Sequence, residues 1–237
     1  MSQVPNSPVS RPWRPGRRTL FVVAMLCVVA GLLVRQVLLT VANRRTVPEE
    51  TVLPLGREGN NAPVILSPDP MVAAMVAHAG LKPDDVVYDL GCGDGRIVIA
   101  AVRYAGCTGV GFDIVPECVQ KARENALRQG VADRVQIIEQ DIFTVDLSQS
   151  SVAMLYLLPW MINKLVPQFE QMKPGSRIVS HEFWLPGCEP DQVVIVPLKD
   201  DADEPHTIYV YTAPLRKNSL LLDRPPRAED YPPQKAE

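Results

Sequence analysis

The chain has 237 residues, of which 46% are hydrophobic, and a formal net charge of -3 at pH 7. This length and composition suit one domain with its own apolar core, together with appended segments. The slight negative charge, without a basic stripe interleaved with aromatic residues, argues against a nucleic-acid partner.

The N-terminal region contains a long apolar segment. Four arginines lie within residues 1–18, and an uncharged run follows at residues 19–34; a polar pair beginning at Arg35 interrupts it before it resumes. Because Arg35 can place its charge at the interface, a helix over residues 19–42 crosses a bilayer core of roughly 30 Å. We therefore predict a basic tail at residues 1–18 and one transmembrane helix at residues 19–42.

A cleaved signal peptide is the alternative interpretation of this segment. Thr40-Val41-Ala42 offers a small-x-small cleavage site behind a basic region, although the apolar stretch is longer than the usual core of a signal peptide. The orientation is also open. Four arginines precede the segment and three follow it, a nearly balanced count that mildly favours an inside N-terminus.

Residues 43–62 are rich in polar residues, prolines and glycines, which predicts a linker. A helix is expected from about Pro70. Residues 86–96, VVYDLGCGDGR, then place an apolar strand, an acid and a glycine turn directly before a helical stretch at residues 97–104. Such a turn brings the backbone close to a ligand, and the helix offers its unpaired N–H groups. The turn glycines are Gly91, Gly93 and Gly95.

The spacing of this turn is D-x-G-x-G-x-G rather than the dinucleotide fingerprint G-x-G-x-x-G. Counted from Gly91, the third glycine of that fingerprint would fall on Arg96, whose long side chain opposes close helix packing. Asp89 at the strand end repels phosphate and attracts a cationic amine. S-adenosylmethionine has such an amine, so Asp89 and the turn favour this cofactor.

Two further strands also end near acids. Residues 109–113 form a short apolar run that closes on Asp113, whose carboxylate is placed to accept from the two hydroxyls of a ribose. Asp113 alone does not choose between cofactors, because dinucleotide folds use the same contact. The strand at residues 135–142 contains Asp141, which is expected to accept from an adenine amine, with Ile142 and Ile114 against the ring.

The remaining elements continue the alternation of strands and helices, which predicts an α/β fold with a doubly wound, mostly parallel sheet of seven strands. After a helix at residues 116–129, we expect strands at residues 152–158 and 177–183 with a helix at 161–172 between them, and an antiparallel pair at 192–198 and 206–213. The proline-rich, charged residues 216–237 are expected to be a disordered tail.

Ligands of such sheets lie beyond the carboxyl ends of the strands. Two segments are therefore expected beside the cofactor. One is an apolar acceptor pocket made of Tyr156, Leu157, Leu158, Pro159 and Trp160, which suits an aliphatic stem. The other contains His181 and Glu182, a candidate pair for taking up a proton; a structural histidine beside a solvated acid is the alternative.

The chain resembles the class I S-adenosylmethionine-dependent methyltransferases over roughly residues 68–214, through the glycine-rich motif and the acids Asp113 and Asp141. More narrowly, VVYDLGCGDGRIVIAA, VADRVQIIEQDIF, LYLLP and RIVSHEF are similar to bacterial relatives of the membrane-associated lysine methyltransferases that modify the c protein of ATP synthase and the adenine nucleotide translocase. The resemblance implies a Rossmann-like methyltransferase domain at residues 63–215 with S-adenosylmethionine as cofactor. No metal is expected.

The expected function is methylation of a lysine on a membrane protein by an enzyme anchored in the same bilayer. Two alternatives stay open, because fold-level analogy does not fix the substrate. One is methylation of a quinone or lipid-like molecule, and the other is an S-adenosylmethionine-binding module without chemistry. Since this cofactor is made and used in the cytosol, we expect a single-pass membrane protein whose catalytic domain faces the cytoplasm.

Overall fold

Strands and helices alternate along most of the chain. The computed structural model describes residues 52–53, 64–197 and 205–230. The strands are β1 (Val52–Leu53), β2 (Val64–Ile65), β3 (Val86–Leu90), β4 (Thr108–Asp113), β5 (Val135–Glu139), β6 (Val152–Leu155), β7 (Arg177–His181), β8 (Cys188–Glu189), β9 (Gln192–Val196), β10 (His206–Thr212) and β11 (Arg216–Lys217). The α-helices are α1 (Asp69–His78), α2 (Arg96–Ala105), α3 (Pro116–Arg128) and α4 (Pro159–Phe169).

Seven of these strands form one sheet in the order β5-β4-β3-β6-β7-β10-β9. Strands β3 to β7 pair in parallel, whereas β10 is antiparallel to both β7 and β9. The predicted mostly parallel seven-stranded sheet is therefore confirmed. The chain order reverses at β3, which lies between β4 and β6, and the carboxyl edge of such a reversal is where open α/β sheets bind ligands.

Both faces of the sheet are covered by apolar side chains. All four residues of β6 are buried, because helices pack on each side of this central strand. On one face, α2 contributes Val98 and Val102 to the core; on the other, α4 contributes Leu165 and Phe169. Burial on both faces gives these strands their continuous apolar runs.

Two strands end earlier than the sequence indicates. Strand β6 stops at Leu155 because α4 begins at Pro159, and the preceding residue, Leu158, has extended backbone angles as is usual before a proline. Strand β5 stops at Glu139, and Asp141 instead begins a short 3-10 helix. Both segments therefore form loops at the carboxyl edge.

The region after the sheet also differs from expectation. Residues 216–230, expected to belong to a disordered tail, contain β11, which pairs antiparallel with β8, and two short 3-10 helices. Leu221 is buried against the domain, and Trp184 Nε1 donates a hydrogen bond to its carbonyl oxygen at 2.9 Å. Burial of a leucine and pairing of backbone groups stabilise this segment despite its prolines.

In the described residues, none of the helices has the length and apolarity needed to span a bilayer. The predicted basic tail at residues 1–18 and transmembrane helix at residues 19–42 lie outside the described residues. So does most of the predicted linker, although β1 within it pairs antiparallel with β2.

Candidate functional site

A cavity of about 290 Å³ lies at the carboxyl edge of the sheet. Its walls come from the glycine turn after β3, the loops after β4, β5 and β6, and the residues just before α1. Six of the predicted cofactor-binding residues line it: Gly91, Gly93, Asp113, Ile114, Asp141 and Ile142. The cavity therefore lies where the sequence places the ligand.

The glycine turn needs its glycines for two different reasons. Gly91 has a φ of 77°, and a Cβ there would lie 2.9 Å from Cδ2 of Leu157, across the cavity wall. Gly95 has a φ of 79° and precedes α2; a Cβ there would lie 3.0 Å from Cβ of Ala122 in α3. Gly91 thus keeps the cavity open, whereas Gly95 lies outside the cavity lining and permits close packing of two helices.

Asp113 ends β4 and ties the glycine turn to it. Its Oδ2 accepts from the Gly93 N–H at 2.8 Å, and its Oδ1 accepts from the Val115 N–H at 2.9 Å. Burial raises the pKa of Asp113, while these backbone hydrogen bonds lower it. Because each carboxylate oxygen has a second lone pair, Asp113 still has acceptor capacity towards the cavity.

Asp89 lies behind the turn rather than in the cavity lining. Its Oδ2 accepts from the Val98 N–H in the first turn of α2 at 3.2 Å, and its Oδ1 has no hydrogen-bond partner within the described residues. Burial raises the pKa of Asp89 to about 7, with the charges of Asp113 and Asp94 adding to the rise. An unpaired buried carboxylate oxygen is costly, and a cationic donor at the turn would offset that cost.

The loop after β5 presents one polar and two apolar surfaces to the cavity. Asp141 Oδ1 accepts from the Phe143 N–H at 2.9 Å, which fixes the start of the 3-10 helix. Ile142 is buried beside it, and Ile114 is exposed on the opposite loop. A carboxylate between two isoleucines has the shape and polarity that suit an aminated aromatic ring.

The loop after β6 forms the apolar side of the cavity. Tyr156, Leu157, Leu158 and Trp160 line it, and Trp160 is 55% exposed at the rim. Pro159 begins α4 and is not part of the lining. Four of the five residues predicted for the acceptor pocket therefore meet at this wall.

His181 and Glu182 lie outside the cavity lining, and the structure connects them to it through other residues. His181 Nδ1 lies 3.1 Å from Ser67 Oγ, and Ser67 lines the cavity. His181 Nε2 lies 3.1 Å from His206 Nδ1, which lies 3.2 Å from Glu182 Oε2. Burial and the neighbouring His206 lower the pKa of His181 to about 3, so its imidazole is neutral.

Three residues of the cavity or of this cluster are not indicated by the sequence. Ser67 and His206 carry no local motif; only the pairing of β10 with β7 brings His206 to His181. Arg96 lines the cavity, and its guanidinium pairs with Asp94 at 3.0 Å and donates to the Ser67 carbonyl oxygen at 2.8 Å. The position of Ser67 directly before Pro68 and a helix is the one local signal that it lies at a site edge.

Known proteins similar to this chain include methyltransferases. The family described as ANTKMT methyltransferase domain matches residues 89–192. A protein-lysine N-methyltransferase of Saccharolobus islandicus is 38% identical over 153 residues, which cover 64% of this chain and 93% of that protein. A lysine N-methyltransferase of Homo sapiens, named for the c protein of ATP synthase, is 35% identical over 108 residues, which cover 45% of this chain and 46% of that relative. The chain thus spans about half the length of the human relative.

A solved structure is also similar. It is described as an RNA methyltransferase from Salinibacter ruber in complex with S-adenosyl-L-homocysteine. It is 41% identical, covers 68% of this chain and 97% of its own, and superposes with a TM-score of 0.57.

Proposed function

Since the chain belongs to the family of protein-lysine N-methyltransferases related to the ANTKMT methyltransferase domain, we propose that it methylates a lysine amine of a protein. It is an S-adenosylmethionine-dependent methyltransferase, and S-adenosylmethionine is its cofactor. When bound, this cofactor supplies a methyl group on a sulfonium, which transfers to a nucleophile without a covalent enzyme intermediate.

The cavity fits this cofactor. The turn at Gly91 and Gly93 leaves room that a Cβ would fill, and the unpaired Oδ1 of Asp89 lies behind it. Asp113 would hold the ribose, and Asp141 with its flanking isoleucines would hold the adenine. The residues at the carboxyl edge therefore offer an acceptor for each polar part of the cofactor.

The observation that carries the lysine assignment is the apolar wall opposite the glycine turn. Leu157 and Leu158 line it with the rings of Tyr156 and Trp160, and no carboxylate belongs to this segment. An apolar wall suits the aliphatic stem of lysine and disfavours its ammonium form, because desolvation lowers the pKa of an amine. Alignment of a neutral amine in such a pocket supplies part of the rate enhancement.

RNA is the second candidate acceptor, because the similar Salinibacter ruber protein is described as an RNA methyltransferase. The net charge of -3 supports the protein acceptor instead, since nucleic-acid binding depends on neutralising phosphates. Arg96, a cavity-lining cation, is already paired with Asp94.

We further propose that residues 19–42 anchor the enzyme in a membrane, with the catalytic domain in the cytosol and a membrane protein as acceptor. The apolar run with its flanking arginines supports the anchor, and the cytosolic supply of cofactor supports the orientation. An anchored enzyme meets membrane-embedded acceptors at a raised effective concentration without added contact energy.

The test is methyl transfer from labelled S-adenosylmethionine into extracts of cells that lack the gene, separated into membrane protein, soluble protein, RNA and lipid. Full-length enzyme is expected to label a lysine of a membrane protein, located by mass spectrometry. Label in RNA would favour the second candidate, and label in a quinone or lipid would replace the lysine assignment. A cofactor-bound protein that labels nothing would indicate a binding module.

A further inference from the structure

We propose that Ser67, His181, His206 and Glu182 form a proton path from the acceptor cavity to solvent. The path rests on the proposed methylation, because it removes the proton that a lysine ammonium must lose before its nitrogen can accept a methyl group. A lysine amine with a reference pKa of about 10.4 is almost fully protonated at neutral pH.

The four side chains form one continuous chain of hydrogen-bond distances. The separations are 3.1 Å from Ser67 Oγ to His181 Nδ1, 3.1 Å from His181 Nε2 to His206 Nδ1, and 3.2 Å from His206 Nδ1 to Glu182 Oε2. Each histidine nitrogen in this chain has a partner at a distance suited to proton transfer. No gap separates the first residue from the last.

The two ends of the chain lie in different environments. Ser67 is 2% exposed and lines the cavity. His181 is fully buried, whereas the side chain of Glu182 is 26% exposed. A proton that enters at Ser67 therefore leaves at a carboxylate in contact with water.

The proton balance is closed along this chain. The acceptor ammonium gives a proton to Ser67 Oγ as the Ser67 hydroxyl proton moves to His181 Nδ1. The Nε2 proton of His181 moves to His206 Nδ1, then to Glu182 Oε2, and from there to water. The acceptor nitrogen keeps the electron pair for bond formation, and the net charge of the protein is unchanged.

The local structure holds the path in place. The ring of Tyr156 stacks on that of His181 with centroids 4.0 Å apart, and Arg96 anchors the Ser67 carbonyl. The buried His181 stays neutral, so it offers one donor and one acceptor nitrogen. Neither a structural histidine nor a solvated acid needs such a linear connection.

Glu182 is held in an uncommon backbone conformation. Its φ is 69°, and the Phe183 N–H donates to the His181 carbonyl oxygen at 2.9 Å, which closes a three-residue turn around it. Positive φ at a residue other than glycine is strained, and such strain concentrates at functional sites. The turn directs Glu182 back to His206 instead of onward along the strand.

The test compares His206→Asn with wild-type full-length enzyme, using the acceptor that wild type labels in cell extracts. Asparagine keeps a polar atom near the Nδ1 position but cannot pass a proton on. We expect kcat at pH 7 to fall about tenfold or more, with affinity for S-adenosylmethionine within twofold. Near pH 10, where much of the acceptor amine is already neutral, kcat should return to within about twofold of wild type.

Other titrating groups do not obscure this pH profile. Burial and the charge of Glu182 raise the pKa of Tyr209, which therefore stays mostly neutral up to pH 10. Glu182→Gln should reproduce the profile of His206→Asn. Ser176→Ala is the matched control, because Ser176 is also buried but bonds the Ser150 carbonyl away from the cavity; its profile should match wild type.

Two results would overturn the path. A loss of kcat that is equal at pH 7 and pH 10 would show a structural role, and an unchanged kcat would show no role. His181, Glu182 and His206 also have ligand atoms within 4.8 Å of one another, as a metal site requires. One equivalent of zinc in purified wild type that is lost in His206→Asn would identify a metal centre instead.

A readout without turnover completes the test. Nitrogen NMR of histidine-labelled enzyme should show a neutral His181 down to about pH 4 with its tautomer fixed, since its pKa is about 3. If the labelled product were a hydroxyl compound rather than lysine, the proposed function would fail, and the same pH comparison on that product would still decide the path.

Discussion

Asp113 combines two tasks in one carboxylate. Its oxygens fix the turn through the Gly93 and Val115 N–H groups, and its remaining lone pairs face the ligand cavity. Substitution of Asp113 therefore changes both the shape of the turn and the direct contact, and the two effects separate through the choice of replacement.

Asp113→Ala is expected to weaken S-adenosylmethionine binding by about tenfold or more, because buried hydroxyls and two backbone N–H groups lose their acceptor. Asp113→Asn keeps one acceptor oxygen and should lose less. Isothermal titration calorimetry measures both, with the exposed Asp133→Asn as control. Equal losses for alanine and asparagine would contradict the assigned contacts, and wild-type binding of NAD in place of S-adenosylmethionine would contradict the cofactor itself.

Asp89 gives the ligand-free protein a pH-dependent stability. Its folded-state pKa of about 7 lies above the unfolded value of about 3.9. The folded chain therefore binds the extra proton between these values, and stability falls as the pH rises through that window. His181, with a folded-state pKa of about 3 below its unfolded value of about 6.5, acts in the opposite direction up to pH 6.5.

Asp89→Asn should therefore raise the melting temperature of the ligand-free enzyme at pH 8 and leave it nearly unchanged at pH 5, where Asp89 is already protonated. A gain of at least about 1 kcal/mol corresponds to roughly 2–4 °C for a chain of this size. Differential scanning calorimetry at the two pH values decides this. The same shift at both pH values would show that ionisation of Asp89 is not its cause.

At the scale of elements, loops at the carboxyl edge carry the site and the strands only place them. Pro159 starts α4 and leaves Tyr156, Leu157 and Leu158 as a wall of the cavity. The C-terminal segment at residues 216–230 covers another region by pairing β11 with β8. This segment is part of the folded unit, and its packing is measurable.

Leu221→Ala should lower the free energy of unfolding by about 2 kcal/mol, because Leu221 is 8% exposed and its removal leaves a void beneath the segment. Leu220→Ala is a matched control at the neighbouring position, since Leu220 is 80% exposed, and it should have little effect. Urea unfolding followed by circular dichroism measures both. Equal, small effects would show that residues 216–230 do not pack on the domain.

For the whole molecule, the main prediction concerns anchoring. Removal of residues 1–42 should leave S-adenosylmethionine binding unchanged but strongly reduce methylation of the acceptor in native membranes, because the enzyme loses its confinement to the bilayer. An unrelated transmembrane helix in place of residues 19–42 should restore the rate. Undiminished methylation by the truncated enzyme would rule out anchoring as the source of acceptor choice.

Topology is tested separately with reporters fused after Asp230. Fluorescence from green fluorescent protein without alkaline phosphatase activity is expected for a cytosolic domain. Phosphatase activity would place the domain outside, and a mature N-terminus at Asn43 would show cleavage of a signal peptide.

The sequence by itself determined the fold class and most of the cofactor side of the cavity. Apolar strands alternating with helices specify a parallel sheet, and the glycine turn with Asp113 and Asp141 depends on contacts between residues close in the chain. Local spacing is enough to predict such contacts, because backbone geometry fixes them within a few residues.

Tertiary structure alone decided the rest. The carboxyl group of Asp89 was expected at the ligand, yet its burial under α2 depends on helix packing. His206 reaches His181 across 25 positions, and Ser67 reaches it across 114, through the pairing of β10 with β7 and the placement of α1. Periodicity carries no information about such partners, because the register between distant strands is set by the burial of the whole sheet rather than by neighbouring residues.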